Sequence, residues 1–250
     1  MNDDTEKKYE ADLDFWKNSP TEGVGRETVV NLVNKFSEIT ILYECVRRYK
    51  HIFENAGTVI ELGAGQGWAS CLIKKMFPTG HITATDISPD AVASIGIWER
   101  VFNVKVDAAY ACRSDQTKEP DESVDVVFCF AAAHHFQEHR KTLQEVMRIL
   151  KKGGSCIYFY EPACLPLWHS LTRAHMQDEQ AYATEDVLQY PELLRFAREA
   201  GLTGKVDFCP SIWGKRSPLM ALYLIFLKIF SFLQRLLPCN ANFLFTKGTS

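Results

Sequence analysis

Val59-Ile60-Glu61-Leu62-Gly63-Ala64-Gly65-Gln66-Gly67 is the stretch that decides the fold. Thr58 to Leu62 is a short apolar run of strand length, and it passes at once into three glycines at alternate positions. A buried strand that turns directly into a helix brings backbone N–H groups close to a ligand, and glycine lets that ligand lie against the main chain. The spacing is G-x-G-x-G, whereas a dinucleotide fingerprint needs G-x-G-x-x-G. Here the third position of that fingerprint is Trp68, whose side chain would crowd the helix–strand packing. The loop therefore suits a nucleoside ligand without a pyrophosphate better than NAD.

Working outward, strands and helices alternate. Gln66 to Phe77 reads as a helix and His81 to Asp86 as a second strand. Ser88-Pro89 reads as an N-cap followed by proline at the first helical position, opening a helix to about Phe102. Val104–Ala111, Val124–Phe130 and Ser155–Tyr160 are strands three to five, with a helix from Gln137 to Lys152 closed by Gly153-Gly154. Upstream, Leu32, Phe36, Ile39, Leu42 and Val46 make one stripe of a helix over Thr28–Tyr49. The first 26 residues are polar, with Tyr9, Phe15 and Trp16 interleaved and a Gly23-Val24-Gly25 turn. Residues 163–183 read as irregular, Pro191–Ala200 as a helix, and Lys205–Cys209 and Asn242–Thr246 as two last strands. Five strands with intervening helices imply a parallel sheet covered on both faces.

Composition narrows the function. The 250 residues are 46% hydrophobic and 24% charged, which excludes a disordered or collagen-like chain. Lys+Arg total 28 against 31 Asp+Glu, and no basic run exists to track a phosphate backbone, so nucleic acid is not an expected partner. The eight cysteines form no C-x-x-C pair and read as small core hydrophobes in a reducing compartment. The acidic N-terminus Met1-Asn2-Asp3-Asp4 carries no secretory signal, which makes the cytoplasm the expected compartment.

Asp86 ends the second strand 19 residues after Gly67, where a carboxylate can accept both hydroxyls of a ribose. The glycine loop, Ala84-Thr85-Asp86-Ile87-Ser88, Asp125-Val126-Val127-Phe128 and the run Leu143 to Gly154 follow one another over residues 57–160. With these pieces in this order the sequence resembles a class I S-adenosylmethionine-dependent methyltransferase. Its tone is that of the broad small-molecule group with a His-His-Phe after strand four, which includes quinone, sterol and sugar methyltransferases. The resemblance implies an α/β, Rossmann-like, seven-stranded sheet with helices on both faces and the last strand antiparallel. One domain would span 1–250: an N-terminal helical cover (1–56), a cofactor-binding core (57–160), and substrate-side elements with the last two strands (161–250). S-adenosyl-L-methionine is the implied cofactor. Gly63, Gly65 and Gly67 would lie against its methionine portion, with Glu61 organising the loop. Asp86 would hold the ribose, Ile87 would pack on the adenine, and Asp115 with Gln116 would meet the adenine amine. Phe130 would contact the methionine side through its backbone.

Ala131-Ala132-Ala133-His134-His135-Phe136 lies where acceptor meets cofactor in that fold. Methyl transfer from a sulfonium asks the protein for alignment and exclusion of water, and a hydroxyl acceptor also benefits from a base with pKa near neutrality. His134 or His135 is the candidate base; the competing reading is that the pair only orders the loop. No metal site is expected, because His135 and His139 have no nearby carboxylate pair to complete a ligand set. Glu161 is a secondary polar contact, and Trp168, His169 and Tyr182 make either a lid or a surface loop.

The stretch from Pro218 to Leu237 is apolar except for Lys228, Ser231, Gln234 and Arg235, of which 228, 231 and 235 share one helical face. A membrane span would separate two strands that neighbour each other in the resembled fold. The stretch therefore packs on the domain or a homodimer partner, walls an apolar pocket, or lies at a membrane surface. The expected activity is O-methylation of a small-molecule, glycan or lipid-linked acceptor. The alternatives are N- or C-methylation of an apolar substrate, a non-catalytic cofactor-binding subunit, and a Rossmann oxidoreductase.

Overall fold

A computed structural model describes residues 3–19, 29–179, 186–211 and 217–249. Strands β1 (Thr58–Leu62), β2 (His81–Asp86), β3 (Ala108–Ala111), β4 (Val124–Phe130) and β5 (Leu150–Cys164) run parallel. A two-residue β6 (Leu188–Gln189) pairs with β5 off the main path. The chain closes with β7 (Leu202–Phe208) and β8 (Cys239–Lys247). The order is β3-β2-β1-β4-β5-β8-β7, with β8 antiparallel to both neighbours. This is the expected seven-strand path with its antiparallel last strand.

Alternation along the strands divides the core. Val59, Phe128 and Phe159 point to a cluster with α2 (Val29–Arg48), α3 (Lys50–Phe53) and α4 (Trp68–Met76). Ile60, Val127 and Tyr158 point the other way, onto α7 (His139–Ile149) and α9 (Tyr190–Glu199). Ser88 caps its helix as expected, its Oγ accepting from Ala91 N at 3.2 Å. That helix is two: α5 (Pro89–Ala93) and α6 (Ile95–Phe102). The buried Ser94 divides them, donating its hydroxyl back to the Ala91 carbonyl.

Other boundaries shift for local reasons. α7 stops at Ile149, and Leu150 already pairs with Val124, so Lys151 to Gly154 belong to β5 rather than to a helix cap. Residues 163–183 are not irregular throughout, since α8 (His169–Glu179) occupies much of them. The apolar stretch is likewise broken. α10 (Pro218–Ile229) ends at Phe230, where Gln234 Nε2 donates to the freed Leu227 carbonyl at 2.9 Å, and a 3-10 turn (Ser231–Arg235) follows. Lys228, Ser231 and Arg235 therefore do not share one helical face. An N-terminal α1 (Asp3–Asn18) lies against α5. The Gly23-Val24-Gly25 turn and Tyr182 fall outside the described residues.

Candidate active site

The strand ends open into a cavity of about 1000 Å³. It lies at the carboxyl edge of the parallel sheet, where open α/β sheets bind ligands. Gly63 (φ +69°) and Gly65 (φ +52°) form its floor in the left-handed region. Asp86 fixes this loop: its Oδ2 accepts from Gly65 N at 2.8 Å and its Oδ1 from Ser88 N at 2.9 Å. Burial raises the Asp86 carboxyl to about 6 against those two N–H bonds. Glu61 is buried beneath, accepting from the Ser70 hydroxyl, and burial pushes it up to about 8.

α1 supplies residues that the sequence did not single out as site residues. Trp16 lies directly over the loop, so that a Cβ on Gly65 would stand 2.8 Å from its ring. Asp12 stands 4.0 Å from His135 Nδ1 and faces Asp86. Burial first, and the Asp86 charge second, raise Asp12 to about 7, with His134 opposing. The folded chain thus binds this proton more tightly than the unfolded chain does. Its contribution to stability is full below about pH 4 and is lost as the pH rises through about 7. Asp12→Asn is expected to raise the melting temperature by several degrees at pH 8 and to change it little at pH 4, in melts run across that range.

The loop after β4 hangs on one carboxylate. Ala131 (φ +45°), just past the end of β4, and Tyr160 (φ +58°), within β5, both adopt left-handed backbone, a strained conformation for non-glycine residues. An extra residue in β5 relative to β8, between Tyr158 and Glu161, turns Glu161 inward. Fully buried, Glu161 accepts from Ala132 N and Ala133 N at 2.9 Å, from His134 N at 3.2 Å, and from His134 Nδ1 at 2.8 Å. Burial would raise this carboxyl, but the His134 ring and the two alanine N–H groups outweigh it and hold it below the ordinary value. With Nδ1 turned to Glu161, the His134 ring also lines the cavity. The His135 ring lies tilted beside it, ring centroids 4.3 Å apart. Burial and then its neighbour hold His135 well below 6.5.

Of the remaining expected residues, Ile87 and Phe130 line the cavity, and Trp68 packs edge-on against Phe130 at 5.3 Å. Gly67, Asp115 and Gln116 do not line it. Gly67 (φ +77°) starts α4, and a Cβ there would meet Ile95 at 2.4 Å, so its glycine serves packing. Asp115 grips Arg113 through two 2.9 Å bonds, and it is Arg113, stacked on Tyr9 at 4.4 Å, that reaches the cavity. Gln116 is exposed. Trp168 and His169 bond to Leu236 O and Asp186 and do not line the cavity; Leu171 and Thr172 of α8 do. Among the described residues no group of three or more His, Cys, Asp or Glu is arranged to hold a metal ion.

A β1 glycine loop, an acid ending β2 and a sheet closed by an antiparallel β8 give the chain a Rossmann-like fold with its cavity at the carboxyl edge of the sheet. Comparison with known proteins agrees. Residues 60–158 match a family model described as a methyltransferase domain. An uncharacterized methyltransferase, YcgJ, of Bacillus subtilis (strain 168) is 31% identical over 38% of this chain and 37% of its own. Its crystal structure superposes with a TM-score of 0.62 at 15% identity, covering 84% of this chain and 99% of that one. A demethylmenaquinone methyltransferase of Halalkalibacterium halodurans is 25% identical over 54% of this chain and 63% of its own. The chain thus spans less than two thirds of these relatives' sequences. Phosphoethanolamine N-methyltransferase 2 of Haemonchus contortus, solved with S-adenosyl-L-methionine, shares the fold at 16% identity and a TM-score of 0.61, over 95% of this chain and 60% of that one. Residues 60–158 thus match a methyltransferase domain, and the cofactor that such a domain takes in the class I family is S-adenosylmethionine.

The cavity fits that cofactor on its own chemistry. It gathers three carboxylates, Asp12, Glu61 and Asp86, each raised by burial, as suits a ligand that brings hydroxyl donors and a positive charge. At Gly65 the left-handed backbone and the Trp16 ring, 2.8 Å from where a Cβ would stand, leave room for no side chain on this part of the floor.

Proposed function

We propose that the chain transfers a methyl group from S-adenosylmethionine to an oxygen of a small-molecule or lipid- or glycan-linked acceptor. When bound, the donor would supply an electrophilic methyl that passes in line from its sulfonium to the acceptor oxygen, S-adenosylhomocysteine being the thioether that leaves. In this reading residues 57–160 hold the donor, and residues 1–56 and 161–250 complete the acceptor side of one domain. Asp86 receives the ribose hydroxyls, Gly63 and Gly65 admit the methionine portion to the backbone, and Ile87 flanks the adenine. Glu61 and Phe130 shape the floor. His134 takes the acceptor's proton at Nε2, and Glu161 holds its ring in the tautomer that carries its own proton on Nδ1. The observation that carries this assignment is the 2.8 Å bond from His134 Nδ1 to a carboxylate bound to the backbone of the same loop. His135, held neutral by burial and by His134, is the weaker base.

His134→Ala is expected to lower kcat by about 10²–10⁴ while leaving the affinity for S-adenosylhomocysteine unchanged. His135→Ala is expected to cost less. Turnover that survives both substitutions would overturn the assignment and move the accepting atom to nitrogen or carbon.

A further inference from the structure

α10 is apolar on both sides. Its inner side buries Leu224 and Leu227, and Met220 and Tyr223 line the cavity. Its outer side leaves Leu219, Leu222, Phe226 and Ile229 between 41% and 78% exposed, at i, i+3, i+7 and i+10. The 3-10 turn adds Phe232, 66% exposed, and Leu236. Trp168 Nε1 donates to Leu236 O at 2.7 Å, which brings the end of this turn beside Leu167, 71% exposed. Leu171, 67% exposed, continues the surface and also lines the cavity. One apolar surface therefore runs from α10 to the cavity rim. Contiguous exposed apolar area of this kind marks an interaction site.

Charge identifies what covers it. The sequence contains no Asp or Glu after Asp207. The exposed charges of α10 and its turn are Lys228 and Arg235. An apolar face flanked by these cations, with no acid on its own helix or turn, complements an anionic lipid surface. A second copy would bring the same two cations against them and would cover the rim at Leu171. Among the described residues no helix is long and apolar enough to cross a membrane, so the face lies on a bilayer rather than through it.

We propose that α10, its following turn and Leu167 dock on an anionic lipid bilayer. The cavity then receives a membrane-resident amphiphile past Leu171, apolar part toward Met220 and Leu224, polar head toward His134. The docking face stands on the exposed residues; the acceptor class rests on the methyl-transfer reading above.

The test is flotation of the full chain with phosphatidylcholine vesicles, with and without phosphatidylglycerol. The chain is expected to float with the phosphatidylglycerol vesicles, less so as salt is raised. Leu222→Gln with Phe232→Gln alters neither core nor cavity and should lower partition by about a hundredfold or more. Lys228→Glu with Arg235→Glu, a pure surface change, should lower it by about tenfold or more. Wild-type chain that stays in solution with both vesicle types overturns the proposal. So does a wild-type dimer that Leu222→Gln with Phe232→Gln converts to a monomer without any flotation, since the face then belongs to a second copy. S-adenosylhomocysteine titration of the same samples separates the two readings. Flotation without that binding upholds the docking face and removes the acceptor class.

Discussion

Glu161→Ala is expected to lower the melting temperature by about 10 °C and to abolish turnover. The carboxylate is fully buried and accepts from three consecutive backbone N–H groups and from the His134 ring. Its removal strands those donors in the interior, at about 1–3 kcal/mol for each that water does not reach, or about 3–5 kcal/mol together. The loop also carries left-handed Ala131, which persists only while its surroundings hold it. Glu161→Gln separates fold from chemistry. The amide still offers one acceptor, but its NH2 group facing His134 Nδ1 would impose the opposite tautomer, placing a proton on Nε2. Stability should fall modestly while kcat drops by about 10²–10⁴. The pH dependence carries the same signature. The folded Glu161 value lies below the unfolded 4.5, so its stabilisation is present above that value and is lost as the pH falls through the lower folded one. Thermal melts from pH 7 down to acid should therefore fall less steeply for Glu161→Gln than for wild type.

Asp86→Ala is expected to weaken the binding of S-adenosylhomocysteine by about 10²–10³, measured by calorimetry at fixed salt. Hydrogen bonds to a buried charged group contribute about 1.5–3 kcal/mol each, and this carboxylate has free lone pairs for two ribose hydroxyls. The substitution also strips the acceptor from Gly65 N, the backbone on which the cavity floor rests. Asp86→Asn, which keeps one acceptor for the loop, should lose affinity but hold the melting temperature near wild type. Equal affinity in Asp86→Ala and wild type would remove the ribose assignment.

The sequence made these two carboxylates unequally legible. Asp86 follows its glycine loop within one strand–helix–strand unit, so local spacing locates it. β1, β2 and β4 have the bounds their apolar runs predict, because a strand buried on both faces writes itself as a continuous apolar run. The role of Glu161 depends on an extra residue in β5, filled by Asn242, whose Oδ1 accepts from Tyr160 N at 2.9 Å across 82 residues of chain. No local pattern announces that. Asp12 and Trp16 meet the loop only through the docking of α1, which is equally long-range. Gly67 misleads in the opposite direction: it fits the nucleotide-loop spacing, yet Ile95 explains it by packing. The end of α10 was hidden as well, since Phe230 is neither glycine nor proline and the stop depends on Gln234 reaching back to Leu227.

Titration of S-adenosylmethionine into the wild-type chain, with NADH titrated in parallel, tests the central claim most directly. The account predicts saturable one-to-one binding of S-adenosylmethionine, lost when Gly65→Val drives a side chain into the Trp16 ring and strains the left-handed turn of the floor, and no comparable binding of NADH. Tighter binding of NADH, or undiminished S-adenosylmethionine affinity in Gly65→Val, would contradict it.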